Sequence, residues 1–141
     1  MIELSPGKKA QHTAKWARTM TKWLITKSGR AKVPWRFVEF GGLTGAESYG
    51  IVDILAVRKN HRNTPKAGLK RGDLLDIILI QVKGGSAPRP MEKDLDRLVA
   101  VAKHHKAKAV VLAEWKKGKQ LHLHILTRRE WVKCDAIDVF R

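Results

Sequence analysis

Along the first stretch of the chain, Ala10, Ala14, Ala17, Thr21, Leu24 and Ile25 recur at three- and four-residue steps, while Lys8, Lys15, Arg18 and Lys22 fall off that stripe. This predicts an amphipathic helix from Gly7 to Ser28 with a basic outer face, stopped at Ser28-Gly29, where glycine tolerates the left-handed conformation that ends helices. Trp16 and Trp23 share one side of it, as core or interface aromatics or, alternatively, as surfaces on which bases stack. Lys32 to Phe40 reads as a first strand, followed by a glycine-rich loop from Gly41 to Gly50 that either brings backbone close to something or forms a flap. Ile51 to Arg58 and Asp73 to Lys83 read as the second and third strands of a meander. A helix follows from Met91 to Lys106, with acids in its first turn and bases near its end, as the helix dipole favours. Ala107 to Trp115 is an apolar strand, and Gln120 to Leu126 alternates Leu121, Leu123 and Ile125 inward with His122 and His124 outward. Arg128 to Val132 is expected to form a short final helix. The order α-β-β-β-α-β-β describes an α/β fold, a mixed sheet with helices on both faces.

Two strands carry polar groups where a buried strand should not. Asp53 interrupts the apolar run Gly50 to Val57, and Gln81 and Lys83 close the run that begins at Ile77. An uncompensated charge away from water costs several kcal/mol, roughly 3 to 5 when a buried partner is lost. Gln81 and Lys83 point to one face of their strand. If the strands pair, either Asp53 and Lys83 form a structural salt bridge at the sheet edge, or the carboxylate and amide oxygens hold a hard cation such as Mg²⁺ while the ammonium serves a phosphate or an attacking water.

Composition bounds the alternatives. With 141 residues, 43% of them hydrophobic, the chain supports one core, so a single domain over 1–141 is expected. No apolar run is long enough for a membrane span, and Met1 to Lys9 lacks the apolar stretch of a signal peptide, which suggests a soluble cytoplasmic protein. The single cysteine, Cys134, excludes an intramolecular disulfide and reads as a packing residue. The formal net charge is +16 and the pI about 10.4, above the value of about 9 at which a domain reads as a polyanion binder. Nine Lys or Arg and no acid lie between Leu4 and Val38, and six with no acid between Arg58 and Arg71. Such one-signed stretches suit phosphate neutralisation, so the expected partner is nucleic acid, most simply DNA; a solubilising basic surface is the plainer alternative. Lys8, Lys15 and Lys22 on the helix, with Arg58, Lys59, Arg62, Lys66, Lys70 and Arg71 in the basic connection, are the candidate phosphate contacts. Backbone N–H groups of Gly84-Gly85-Ser86 could add another, a plain strand-to-helix turn being the alternative.

The element order, an aspartate in the second strand and Gln81-Val82-Lys83 closing the third together resemble the PD-(D/E)-x-K nuclease superfamily, whose restriction-endonuclease-like fold includes Holliday junction resolvases. The resemblance spans about Gly7 to Leu126. It implies Asp53 as the metal-binding aspartate, Gln81 in the place of the family's second acid, Lys83 as the catalytic lysine, and the Val82 carbonyl as a further metal ligand. The implied cofactor is Mg²⁺ or Mn²⁺, the implied activity phosphodiester hydrolysis in DNA with low sequence specificity or specificity for structure, and a homodimer is a family expectation. Gln81 departs from the pattern: a neutral amide still ligates Mg²⁺, more weakly. The first helix supplies no acid, so the missing carboxylate falls to Glu47 in the glycine-rich loop or to Glu39, whose simpler use is a salt bridge to Arg36 or Lys32. The rival functions are a non-catalytic nucleic-acid-binding module on the same fold, and a structural protein that meets RNA or an acidic partner in a larger complex. His122 and His124 are expected as exposed strand histidines, and His104-His105 as a helix-end pair.

Overall fold

The computed structural model describes residues 6–40, 50–62, 66–84, 89–115 and 120–141, with side chains from residue 14 onward. The elements are α1 (Pro6–Ser28), β1 (Arg36–Glu39), β2 (Ile54–Lys59), β3 (Leu75–Gly84), α2 (Glu92–His104), β4 (Ala109–Trp115), β5 (His122–Thr127), β6 (Glu130–Cys134) and α3 (Ala136–Phe140). Six of these are strands in one mixed sheet whose spatial order, β1-β2-β3-β4-β5-β6, follows the chain. All neighbours pair antiparallel except β3 and β4, which run parallel and are joined through α2. A parallel pair needs a crossover of that kind, and its two central strands read as near-continuous apolar runs because both faces are covered.

One face of the sheet buries Ile54, Ala56, Ile78, Ile80, Val111, Ala113 and Leu123 against Ile25 of α1, Trp35, and Ala136 and Phe140 of α3. The other buries Leu79 and Val110 with Ile51 against Leu98 of α2, and Leu55, Ile77 and Trp131 pack around them. The predicted α1 therefore docks by its apolar stripe; Thr21, fully buried on it, satisfies its hydroxyl by donating to the Ala17 carbonyl at 2.7 Å. Its stop works differently from expectation. A Cβ at Gly29 would lie 2.6 Å from the Ile25 carbonyl oxygen and 3.1 Å from Phe140 Cβ, so glycine is required for close approach, and the left-handed residue is Arg30, φ 49°.

The expected helix over Arg128 to Val132 is absent. Thr127 and Glu130 pair across a two-residue turn in which Arg128 and Arg129 both have positive φ, 50° and 66°. Two successive positive-φ residues match the twist of a hairpin, and Arg-Arg lacks the Asn-Gly signature that would announce it. Arg129 is held by ion pairs to Asp96 and, at 3.9 Å, Glu92 of α2. The additional strand β6 makes β5 an interior strand, and the short terminal helix is α3.

Candidate functional site

Asp53 immediately precedes β2, and its backbone is clamped from both sides: its N–H donates to the Ile80 carbonyl and its own carbonyl accepts from the Phe40 N–H, each at 3.0 Å. Its carboxylate Oδ2 accepts the Val82 N–H at 2.7 Å. A backbone donor given to an ionised acid makes a charge-assisted bond, which holds this side chain against β3 between Gln81 and Lys83. The N–H and C=O of one extended residue face the same neighbouring strand, so the Val82 carbonyl lies on the Asp53 side of β3.

Ile78, Ile80 and Val82 pack towards α1, which turns Gln81 and Lys83 to the opposite face. Gln81 is buried, and among the described residues its Oε1 has no hydrogen-bond partner. Lys83 is half-buried. In register beside them on β4, Leu112 pairs with Gln81 and Glu114 with Lys83. All of these lie at the carboxyl ends of the parallel strands, where open α/β sheets place ligands.

Glu114 organises a second cluster at this end of the sheet. Arg89 grips its carboxylate as a fork, with Nη2 to Oε1 at 2.8 Å and Nε to both oxygens at 3.2 Å. Arg89 Nη2 also lies 3.2 Å from His124 Nε2. A guanidinium only donates, so Nε2 accepts and the imidazole is the neutral Nδ1–H tautomer, with Nδ1 3.6 Å from Glu114 Oε1. Burial first, and then the charge of Arg89, lower the His124 pKa below the usual histidine value; the hydrogen bond to Glu114 raises that of Arg89. The expectation that His124 is exposed is thus corrected: the strand β6 and the Arg89 side chain enclose it, leaving it 7% exposed. Arg89 and Glu114 escape the sequence reading, although Glu114 carries the signal that revealed Asp53, an acid within an otherwise apolar strand.

The other candidates separate. Glu39 opposes Ile54 in register, on the α1 face, and pairs with Lys22 at 3.3 Å and Arg18 at 3.8 Å. It therefore points away from Gln81 and Lys83, and its cationic partners come from α1 rather than Arg36 or Lys32. Glu47 and Ser86 lie outside the described residues, as does the side chain of Lys8. Arg58 leaves the set of phosphate contacts: it is 6% exposed, donates to Asp76 at 3.3 Å and to the Arg141 carbonyl at 2.8 Å, and stacks 4.2 Å from the Trp35 ring centre. Lys15, Lys59, Arg62, Lys66, Lys70 and Arg71 are exposed, and Lys22 is shared with Glu39. The connection carrying Lys59 to Arg71 joins the opposite ends of β2 and β3, so it lies about 20 Å from Asp53 at the rise of an extended chain.

A half-buried carboxylate, a backbone carbonyl and an unpartnered buried amide oxygen form an all-oxygen donor set suited to a hard cation. The orphaned Gln81 Oε1 is the observation that makes the fit. Among the described residues no three His, Cys, Asp or Glu side chains converge as a metal-binding group, so these residues supply part of a coordination shell.

Among solved structures, the chain is similar to Hjc, a Holliday junction resolvase from the archaeal hyperthermophile Archaeoglobus fulgidus, at 15% identity and a TM-score of 0.46, over 86% of this chain and 85% of that one. No family model and no curated protein matches the sequence.

Proposed function

We propose that the protein is a metal-dependent nuclease that hydrolyses phosphodiester bonds in DNA, with specificity for structure or little specificity for sequence. The reading rests above all on one observation: the Asp53 carboxylate is fixed to β3 between Gln81 and Lys83 while the buried Gln81 Oε1 has no hydrogen-bond partner among the described residues. Asp53, the Gln81 amide oxygen and the Val82 carbonyl would hold Mg²⁺ or Mn²⁺, with Glu47 as the further carboxylate. A bound divalent cation lowers the pKa of a coordinated water and neutralises charge on phosphoryl oxygens.

The chain's own groups do the rest. The Asp53 backbone clamp fixes the carboxylate without recourse to a flexible loop, so little reorganisation is needed at the moment of reaction. Lys83, on the same strand face as Gln81, delivers a positive charge to the phosphate and orients the water beside it. Lys15 and the exposed bases of the β2–β3 connection bind backbone phosphates, which gives affinity and register without reading sequence.

A second reading, a nucleic-acid-binding module without activity, is favoured by the turn of Glu39 towards Lys22 and Arg18, which leaves Glu47 as the candidate for the further carboxylate. Cleavage of supercoiled and branched DNA in Mg²⁺ or Mn²⁺ separates the two. Activity should fall at least about a hundredfold in Asp53→Ala and in Lys83→Ala, the scale of losing an electrostatic catalytic group. DNA binding without cleavage by the native chain in either metal would establish the second reading instead.

A further inference from the structure

The outer side of α1 displays an aromatic ridge. Trp16, Met20, Trp23 and Lys27 follow one another at four-, three- and four-residue steps, opposite the buried stripe of Ala17, Thr21 and Ile25. Trp16 is 47% and Trp23 53% exposed, which rules out the role of core aromatics. Tryptophan carries the largest apolar surface of any side chain, and two half-bare indoles on one helix demand an occupant.

Charge identifies the occupant. No acid occurs between Leu4 and Val38, and Lys15 and Lys27 flank the indoles on the exposed surface. An isologous dimer through this face would bring together two lysine-bearing helix surfaces with no acid on either, in a chain of net charge +16. A polyanion meets no such repulsion. Seven residues of helix separate the indoles by about 10 Å along the axis, the length of about three nucleotides at roughly 3.4 Å each along one strand. Paired bases present no free face to a helix surface, whereas unpaired bases stack on aromatic rings regardless of sequence.

We infer that Trp16 and Trp23 form a stacking platform for the unpaired bases of a single-stranded DNA segment, with Lys15 and Lys27 engaging its phosphates. This rests on the nucleic-acid half of the proposed function and is independent of hydrolysis. It makes the preferred substrate one that carries an unpaired segment, such as a flap, gap or branch, rather than continuous duplex.

The test uses the full chain in EDTA, so that cleavage does not intervene. Fluorescence anisotropy would compare a labelled oligothymidylate with a blunt duplex of equal length for the native protein, Trp16→Ala, Trp23→Ala, the double alanine variant and the Trp16→Phe/Trp23→Phe pair, all checked by thermal unfolding. Each alanine should weaken single-strand binding about tenfold, as loss of one base–aromatic stack does. Duplex affinity should stay within about twofold, and the phenylalanine pair should retain most single-strand affinity, since it preserves a ring at each position. Native binding to both oligomers with no selective loss in the alanine variants overturns this inference alone. A native protein that binds neither oligomer overturns it together with the nucleic-acid reading. Sedimentation showing a dimer that the double alanine variant abolishes would assign the ridge to a second copy and overturn it as well.

Discussion

A buried polar atom left without a partner costs about 1–3 kcal/mol, and Gln81 carries one on the strand against which Asp53 is fixed. Gln81→Glu should therefore behave as a conditional substitution. Without metal it puts a carboxylate in a buried position on the strand that holds the Asp53 side chain and should lower the melting temperature; with Mn²⁺ it should bind the ion at least about tenfold more tightly by calorimetry and recover the lost stability, because each added carboxylate strengthens a hard-cation site. His124 makes a prediction in pH. Its pKa is lowered in the folded chain, so the unfolded chain binds its proton first on acidification, and the stability it contributes is complete above about 6.5 and lost as pH falls below that value. His124→Gln should flatten this part of the stability–pH profile, measured by urea unfolding. Asp53 and Lys83 are legible in the sequence because they contradict their apolar surroundings. The Arg89–Glu114–His124 cluster is not, because it depends on the register of β4 with β5 and on a strand, β6, that the Arg-Arg turn conceals.

Among elements, the central strands and the two long helices follow from periodicity alone, since burial on two faces or one imposes the pattern directly. Element ends do not, because tertiary contacts place them: β1 begins only at Arg36, after Trp35 has turned inward to donate to the Phe140 carbonyl at 2.8 Å. Arg58 shows how a charge run misleads. Six bases without an acid look like one patch, yet the first of them stays on β2, facing Asp76 of β3, and joins the strand to the α3 end of the chain. Removing one member of so buried a pair leaves the other uncompensated. Arg58→Ala should cost about 3 kcal/mol of unfolding free energy, with DNA affinity of the folded protein unchanged; a variant that is stable but binds DNA poorly would return Arg58 to the interface.

For the whole molecule, exposed positive charge is divided between two places, α1, which covers the sheet face opposite Gln81 and Lys83, and the connection at the far end of the strands from Asp53. The connection lies about 20 Å from Asp53, less than one turn of duplex at roughly 34 Å, so a single DNA segment can reach both the connection and the candidate site. Replacing Lys66, Lys70 and Arg71 with Gln should reduce the slope of log affinity against log salt by about 0.9 for each phosphate no longer neutralised, while leaving the cleavage rate at saturating DNA unchanged. The sheet's strand order carries a separate consequence for the order in which the candidate site assembles. β1-β2-β3 and β4-β5-β6 are consecutive antiparallel ribbons that local turns can close, and only the parallel β3–β4 seam requires a closure across α2. Loop closure favours the local pairings first. Asp53, Gln81 and Lys83 belong to the first ribbon and Glu114 and His124 to the second, so the candidate metal-holding groups can come together before the seam forms, and the Arg89–Glu114–His124 cluster reaches them only when β3 and β4 pair.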